Sequence, residues 1–311
     1  MMVGLPRRRA SVRGIKVDIP RTSMNRSHVL PLPGGEGGVR GKALSNSPSR
    51  PLSFKSLLIP PKIAKNHLDR LASFSPLTLN STIKPIYLFA DSQLLFWKAD
   101  GSLFLASVRS QVEASSPTAA YIGASNGDNP DFYSIFTSAM EGVGIQNCRL
   151  IRAGFPADDK EFLDRADLIL LAGGDIKRGW EVFERVGMKQ SILRRYSEGA
   201  VLLGISAGAV QLGLLGWPGD FAASSDELFE TLKLVPFVIG VHEEKDGWRN
   251  LRQILRLEKG PSKGLGIPAG GGLIYHRNQT IEPIRMPVIF LSRQNEKVTE
   301  NLLFPPPTKA D

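Results

Sequence analysis

The chain has 311 residues, 42% of them hydrophobic, and a formal charge of +9, enough for one domain with a sizeable core or for two small ones. The charge is local: residues 1–55 hold eleven Lys and Arg against Asp18 and Glu36, and the remainder is balanced, so a phosphate-binding surface on the folded part is not expected. The single cysteine, Cys148, excludes an intramolecular disulfide and a Cys-based zinc cluster.

Residues 1–80 are rich in Pro, Ser, Gly and Arg and have no helical or strand period. They are expected to form a disordered basic tail, with a start codon placed too far upstream or an Arg-rich organelle-targeting segment as alternatives. A folded domain is expected over residues 84–303, then a short C-terminal tail over 304–311. Within the domain, strands are expected at 85–90, 118–124, 148–152, 167–172 and 201–205. Helices are expected between them at 103–113, 132–142, 158–165 and 180–196. This alternation predicts an α/β domain, a mostly parallel sheet with helices on both faces. Beyond it come an apolar run at 234–241, a helix at 248–257, and short strands and turns over 265–291 that read as a sheet edge. The uncharged stretch 199–219 contains six glycines and reads as a buried strand, a turn and a core helix, not a membrane span. Cys148 reads as a buried strand thiol. A soluble, cytoplasmic protein is expected, or an organellar one if the basic start is a transit peptide.

The segment Gly204-Ile205-Ser206-Ala207-Gly208-Ala209 follows a buried strand and opens a helix. A serine on such a turn needs small neighbours, because the backbone is strained and the side chain must project outward. Amides at the helix start then face a developing oxyanion. A tightly packed structural turn is the alternative. A serine nucleophile needs a base; of four histidines, His28 and His67 lie in or beside the tail. His242 ends an apolar run, at the carboxyl end of an expected strand where α/β sites form, and is preferred over His276 in a polar turn. Leu171-Ala172-Gly173-Gly174-Asp175 ends a strand in two glycines, which exposes backbone N–H groups, and Asp175 reads as a helix N-cap. Arg178, Arg249 and Arg252 are candidates to read a substrate carboxylate.

Taken together, the Gly-Gly-Asp turn, the Gly-x-Ser-Ala-Gly-Ala elbow, and Pro236 and His242 followed by Arg249 and Arg252 resemble the S51 serine peptidases. That family includes dipeptidase E and cyanophycinase and has a class I glutamine amidotransferase-like, flavodoxin-like fold. Gly264-Leu265-Gly266-Ile267-Pro268 resembles its C-terminal strand. The resemblance implies a serine hydrolase with Ser206 and His242 catalytic, the amides of Gly174 and Ala207 as oxyanion hole, and no metal or cofactor. It implies a small peptide or amide substrate, an aspartyl dipeptide or cyanophycin; from charge and hydropathy no nucleic-acid partner of the folded domain and no membrane partner are expected, and a homodimer is left open. Two departures stand out. Glu243 and Glu244 follow His242 where the family has an aromatic residue, and Ala269 stands where it carries a histidine-orienting glutamate. Glu243, Glu244, Asp220 and Glu282 are candidate substitutes. The rival expectation is a catalytically impaired member that keeps the pocket as a ligand-binding or interaction module. A classical esterase is disfavoured because no His-Gly-Gly-Gly element precedes the elbow, and a glutamine amidotransferase because the elbow carries serine instead of cysteine.

Overall fold

A computed structural model describes residues 83–219, 224–257 and 260–307. The expectations for residues 1–80, and Asp220, lie outside the described residues. In chain order the elements are β1 (Ile86–Phe89), β2 (Lys98–Ala99), β3 (Ser102–Leu103), α1 (Leu105–Arg109), β4 (Thr118–Ile122), α2 (Pro130–Glu141), β5 (Asn147–Ile151), α3 (Ala157–Leu163) and β6 (Leu168–Leu171). Then follow α4 (Ile176–Arg185), α5 (Met188–Ser197), β7 (Val201–Ile205), α6 (Ala207–Leu212), β8 (Leu215–Gly216), β9 (Phe229–Glu230), β10 (Val238–Val241) and α7 (Arg249–Arg256). The chain ends in β11 (Lys263–Ile267), β12 (Gly272–Tyr275), β13 (Ile281–Ile284), β14 (Val288–Gln294) and β15 (Lys297–Leu303). Residues 304–307 have no regular structure.

The central sheet has seven strands in the order β13-β12-β1-β7-β6-β4-β5. From β1 to β5 its neighbours run parallel, while β12 and β13 add antiparallel. The cause is visible in the sequence alternation. Ile86 and Leu88 join Ile169, Leu171 and Leu202 in one buried cluster, and Tyr87 and Phe89 join Leu168, Leu170, Val201 and Leu203 in another. Both faces of β1, β6 and β7 are thus apolar and covered, as the centre of a parallel sheet requires. The expected mostly parallel α/β fold is what the chain adopts.

Four local expectations need correction. The helix expected over 180–196 is two helices, because Gly187 turns left-handed (φ 72°) after α4, a helix terminator that glycine adopts without strain. The helix expected over 103–113 is only α1, since Leu103 pairs with Lys98 in a small hairpin. The helix at 132–142 begins two residues earlier, where Asn129 caps the Asp131 amide and Pro130 fills the first turn. Finally, the single sheet edge expected over 265–291 is divided: β12 and β13 do form the edge of the central sheet, whereas β11 and β14 leave it and join the apolar run at 234–241. They form a second sheet in the order β10-β11-β14-β15. The edge of β1 is taken by β12, and the chain entering β10 bonds to the end of α6 through Leu214 N to Phe237 O and Val235 N to Leu212 O. The new strand therefore starts one helix layer away from the first sheet.

On the opposite edge, α3 is pinned to β5 by Asp159, whose side chain is 1% exposed. It accepts from Arg149 Nε at 2.9 Å and from Arg152 N and Nε at 3.0 and 2.7 Å. Burial pushes this carboxyl up, but the bonds from Arg152 and Arg149 outweigh burial and hold it below its ordinary value. A group with a lowered folded pKa adds stability above its unfolded pKa and loses it as pH falls through the folded one. Asp159→Asn is expected to cost about 1–2 kcal/mol at pH 7, discounted because both arginines reach solvent. Urea unfolding at pH 7 and pH 3 checks this: the gap to wild type should narrow at the lower pH.

Candidate active site

The strand β7 passes into α6 through a single residue, Ser206. Its φ of 50° and ψ of −113° lie in the left-handed half of conformational space, where a non-glycine residue is strained. The Ser206 N–H still donates to Phe89 O at 2.9 Å, so the serine continues the β7–β1 pairing before the chain reverses. Close packing explains the small residues around it. A Cβ on Gly208 would lie 2.1 Å from the Leu171 carbonyl oxygen, so only glycine lets α6 seat against β6. The strain gives a testable consequence. Ser206→Gly is expected to be more stable than Ser206→Ala by about 1 kcal/mol, because only glycine relaxes the backbone; thermal melts of the two variants decide it.

His242 follows β10, and its N–H donates to Ile267 O of the neighbouring strand at 2.9 Å. Its own φ is 45°. The two sheets thereby bring Ser206 Oγ and His242 Nε2 to 3.0 Å. His276 is elsewhere, paired with Glu282 at 2.9 Å across the β12–β13 hairpin. Glu282 is thereby excluded as a partner of His242.

Among the described residues, the His242 ring bonds only to Ser206. Glu243 turns toward α7, accepting from Asn250 Nδ2 at 2.8 Å, and its Oε2 is buried with no partner among the described residues. Burial raises its pKa, partly offset by the Asn250 bond. Glu244 accepts from the Ala269 N–H at 3.4 Å. Neither carboxylate bonds the imidazole.

At the end of β6, Gly174 has φ 137°, and a Cβ there would lie 2.3 Å from the Ser125 carbonyl oxygen. A Cβ on Gly173 would lie 3.2 Å from Ser206 Cβ, so this turn packs against the serine. Asn126 Nδ2 donates to Gly173 O at 3.2 Å and to the Tyr121 hydroxyl at 2.9 Å. The Gly173 carbonyl and the Gly174 N–H belong to one planar trans peptide. Holding the carbonyl on Asn126 therefore fixes where that N–H points. Neither Gly174 nor Ala207 donates its N–H to another described residue. Asp175 caps α4 by accepting from the Arg178 amide at 2.7 Å, as its sequence position implied. Gln211, fully buried, ties Ser125 Oγ and Ile176 O to α6.

Sequence reasoning singled out neither Asn126 nor Gln211. The available signal for Asn126 was its place after β4, at the carboxyl edge where the Gly173–Gly174 turn also sits.

Ser206, His242 and Gly174 border a recess of about 270 Å³ whose walls include Leu95, Tyr121, Phe132, Ile135 and Phe136. None of Arg178, Arg249 and Arg252 lines it; Arg252 is held by Gly247 O and Glu300. Among the described residues, no group of three or more His, Cys, Asp or Glu is placed to hold a metal ion, and no helix is long and apolar enough to cross a membrane.

A mostly parallel α/β sheet here carries a strained serine between strand and helix, with a histidine in reach, the geometry of a nucleophile elbow. The chain belongs to peptidase family S51, whose model matches residues 98–282. The fold is similar to that of a peptidase from an acI-B1 Actinobacterium, with TM-score 0.55 and 17% identity over 71% of this chain and 97% of that one. A structure from Listeria monocytogenes EGD-e, described as a peptidase E protein, aligns with TM-score 0.43 and 17% identity over 72% of this chain and 100% of that one. A comparison with curated proteins returned no significant match.

Proposed function

We propose that this chain is a serine-type hydrolase of peptide or amide bonds. The observation that carries the reading is the 3.0 Å contact between Ser206 Oγ and His242 Nε2 at a backbone-strained elbow. Ser206 attacks the carbonyl carbon while His242 takes the hydroxyl proton and later gives it to the leaving amine. The amides of Gly174 and Ala207 stabilise the oxyanion, the first aimed by Asn126 and the second at the start of α6. Water then hydrolyses the acyl-serine by the same proton transfers in reverse order. Aspartyl dipeptides and cyanophycin are the substrates that the family resemblance suggests.

The second reading, a binding module with weakened catalysis, is favoured by one observation: no described carboxylate meets the second nitrogen of His242. Labelling with a small fluorophosphonate followed by peptide mapping tests the choice. The hydrolase reading expects a single adduct on Ser206, absent from Ser206→Ala. No adduct on the folded wild type would make the binding module the better account.

A further inference from the structure

We infer that the recess beside Ser206 takes an apolar side chain, aromatic or branched aliphatic, so that cleavage follows an apolar residue and not an aspartate. The inference rests on the serine-hydrolase reading and names the substrate class of that site. Its first ground is the lining. Leu95, Tyr121, Phe136, Leu170, Ala172 and Ile205 are all buried and all border the recess. They give the recess an apolar floor, and its polar side chains besides Asp91, Ser206 and His242 are Ser92, Asn126 and the Tyr121 hydroxyl, none of them cationic.

The mouth supplies a second, independent observation. Phe132 and Ile135 stand three residues apart on α2, hence on one face, and remain 49% and 36% exposed while bordering the recess. The fold does not use this apolar surface, and a bound apolar side chain would remove it from water.

Charge is the third ground. No lysine or arginine lines the recess, and its one carboxylate is Asp91. That group accepts from Gln93 N at 2.9 Å and from Gly270 N at 2.6 Å, so it is fixed in place and its field opposes a second carboxylate. An aspartyl side chain entering here would lose water and gain no counter-charge. The volume of about 270 Å³ lies at the small end of ligand pockets, about 300 Å³, and has room for a large side chain.

The test uses reversible amino aldehydes as competitors of fluorophosphonate labelling on the full chain. Each adds to Ser206 as a hemiacetal: the Oγ–carbon bond forms, the carbonyl π bond breaks, and the hydroxyl proton passes to the former carbonyl oxygen. Phenylalanine and leucine aldehydes are expected to protect Ser206 at concentrations at least about tenfold lower than aspartate aldehyde. Ile135→Asp, a change at a partly exposed helix position, should shrink that preference several-fold. Labelling with equal protection, with better protection by the aspartyl compound, or with protection by none would overturn the apolar pocket while leaving the hydrolase reading standing. Failure to label at all would remove the hydrolase reading, and the inference with it.

Discussion

His242→Ala should slow fluorophosphonate labelling of Ser206 by about 10²–10⁴-fold, the usual contribution of a positioned proton acceptor. An unassisted serine hydroxyl holds its proton at neutral pH, and the 3.0 Å contact to Nε2 is the only side-chain acceptor that the described residues offer it. The substitution should spare the fold. The imidazole is exposed at a strand end, and the main-chain bond from residue 242 to Ile267 O survives in alanine. The melting temperature should therefore move by no more than a few degrees while the labelling rate collapses. His276→Ala supplies the contrast. Its ring is engaged with Glu282 in a different cleft, so the labelling rate should stay within about twofold of wild type. A large loss in the His276 variant with none in the His242 variant would reverse the assignment. Intact-mass kinetics at fixed probe concentration read both results directly.

Much of this site was legible in the sequence because it rests on local chemistry. Ser206 announces itself through the small residues that a strand-to-helix reversal needs, and Gly173–Gly174 through a strand that ends without side chains. The central strands were legible because runs such as Leu168-Ile169-Leu170-Leu171 are apolar on both faces. What escaped depends on which distant segments meet. Trp180, Phe183, Met188 and Ile192 keep an apolar spacing across the break between α4 and α5, so periodicity bridged two helices; only Gly187 marked the stop. Val238-Ile239-Gly240-Val241 has the composition of a central strand, and nothing local says that β12 occupies the β1 edge first. Asn126 acquires its role only when Gly173, 47 positions away, brings its carbonyl within reach. The lining of the recess was equally hidden, since Leu95, Tyr121 and Phe136 come from three elements that share nothing in sequence but an apolar character.

Ala269→Glu carries the second large effect: hydrolysis is expected to rise at least about tenfold, because a histidine that loses tautomer control can lose about 10⁴ in rate. The geometry says why position 269 has this leverage. The strands β10 and β11 run parallel with Val241 opposite Ile267, and the His242 N–H donates to Ile267 O, so the residues just after β11 flank the imidazole. A carboxylate at 269 accepting the Nδ1 proton leaves the Nε2 lone pair facing Ser206 and stabilises the imidazolium formed during attack. Ala269 is exposed, so the new charge is not forced out of water. Two carboxylates lie beside it: Glu244, which already takes the Ala269 amide, and Asp91, which takes the next amide, that of Gly270. Adding Glu244→Gln to Ala269→Glu should therefore raise the rate further by removing like-charge repulsion. A role in orienting the histidine, as distinct from a general structural effect, should show as a low-field Nδ1–H proton resonance absent from wild type. If wild type already turns over substrate briskly and Ala269→Glu leaves both rate and resonance unchanged, another acid holds the imidazole. Glu243 is committed to Asn250 and Glu282 to His276, so Glu244→Gln and Asp220→Asn, made one at a time, are then the substitutions that identify it by loss of activity.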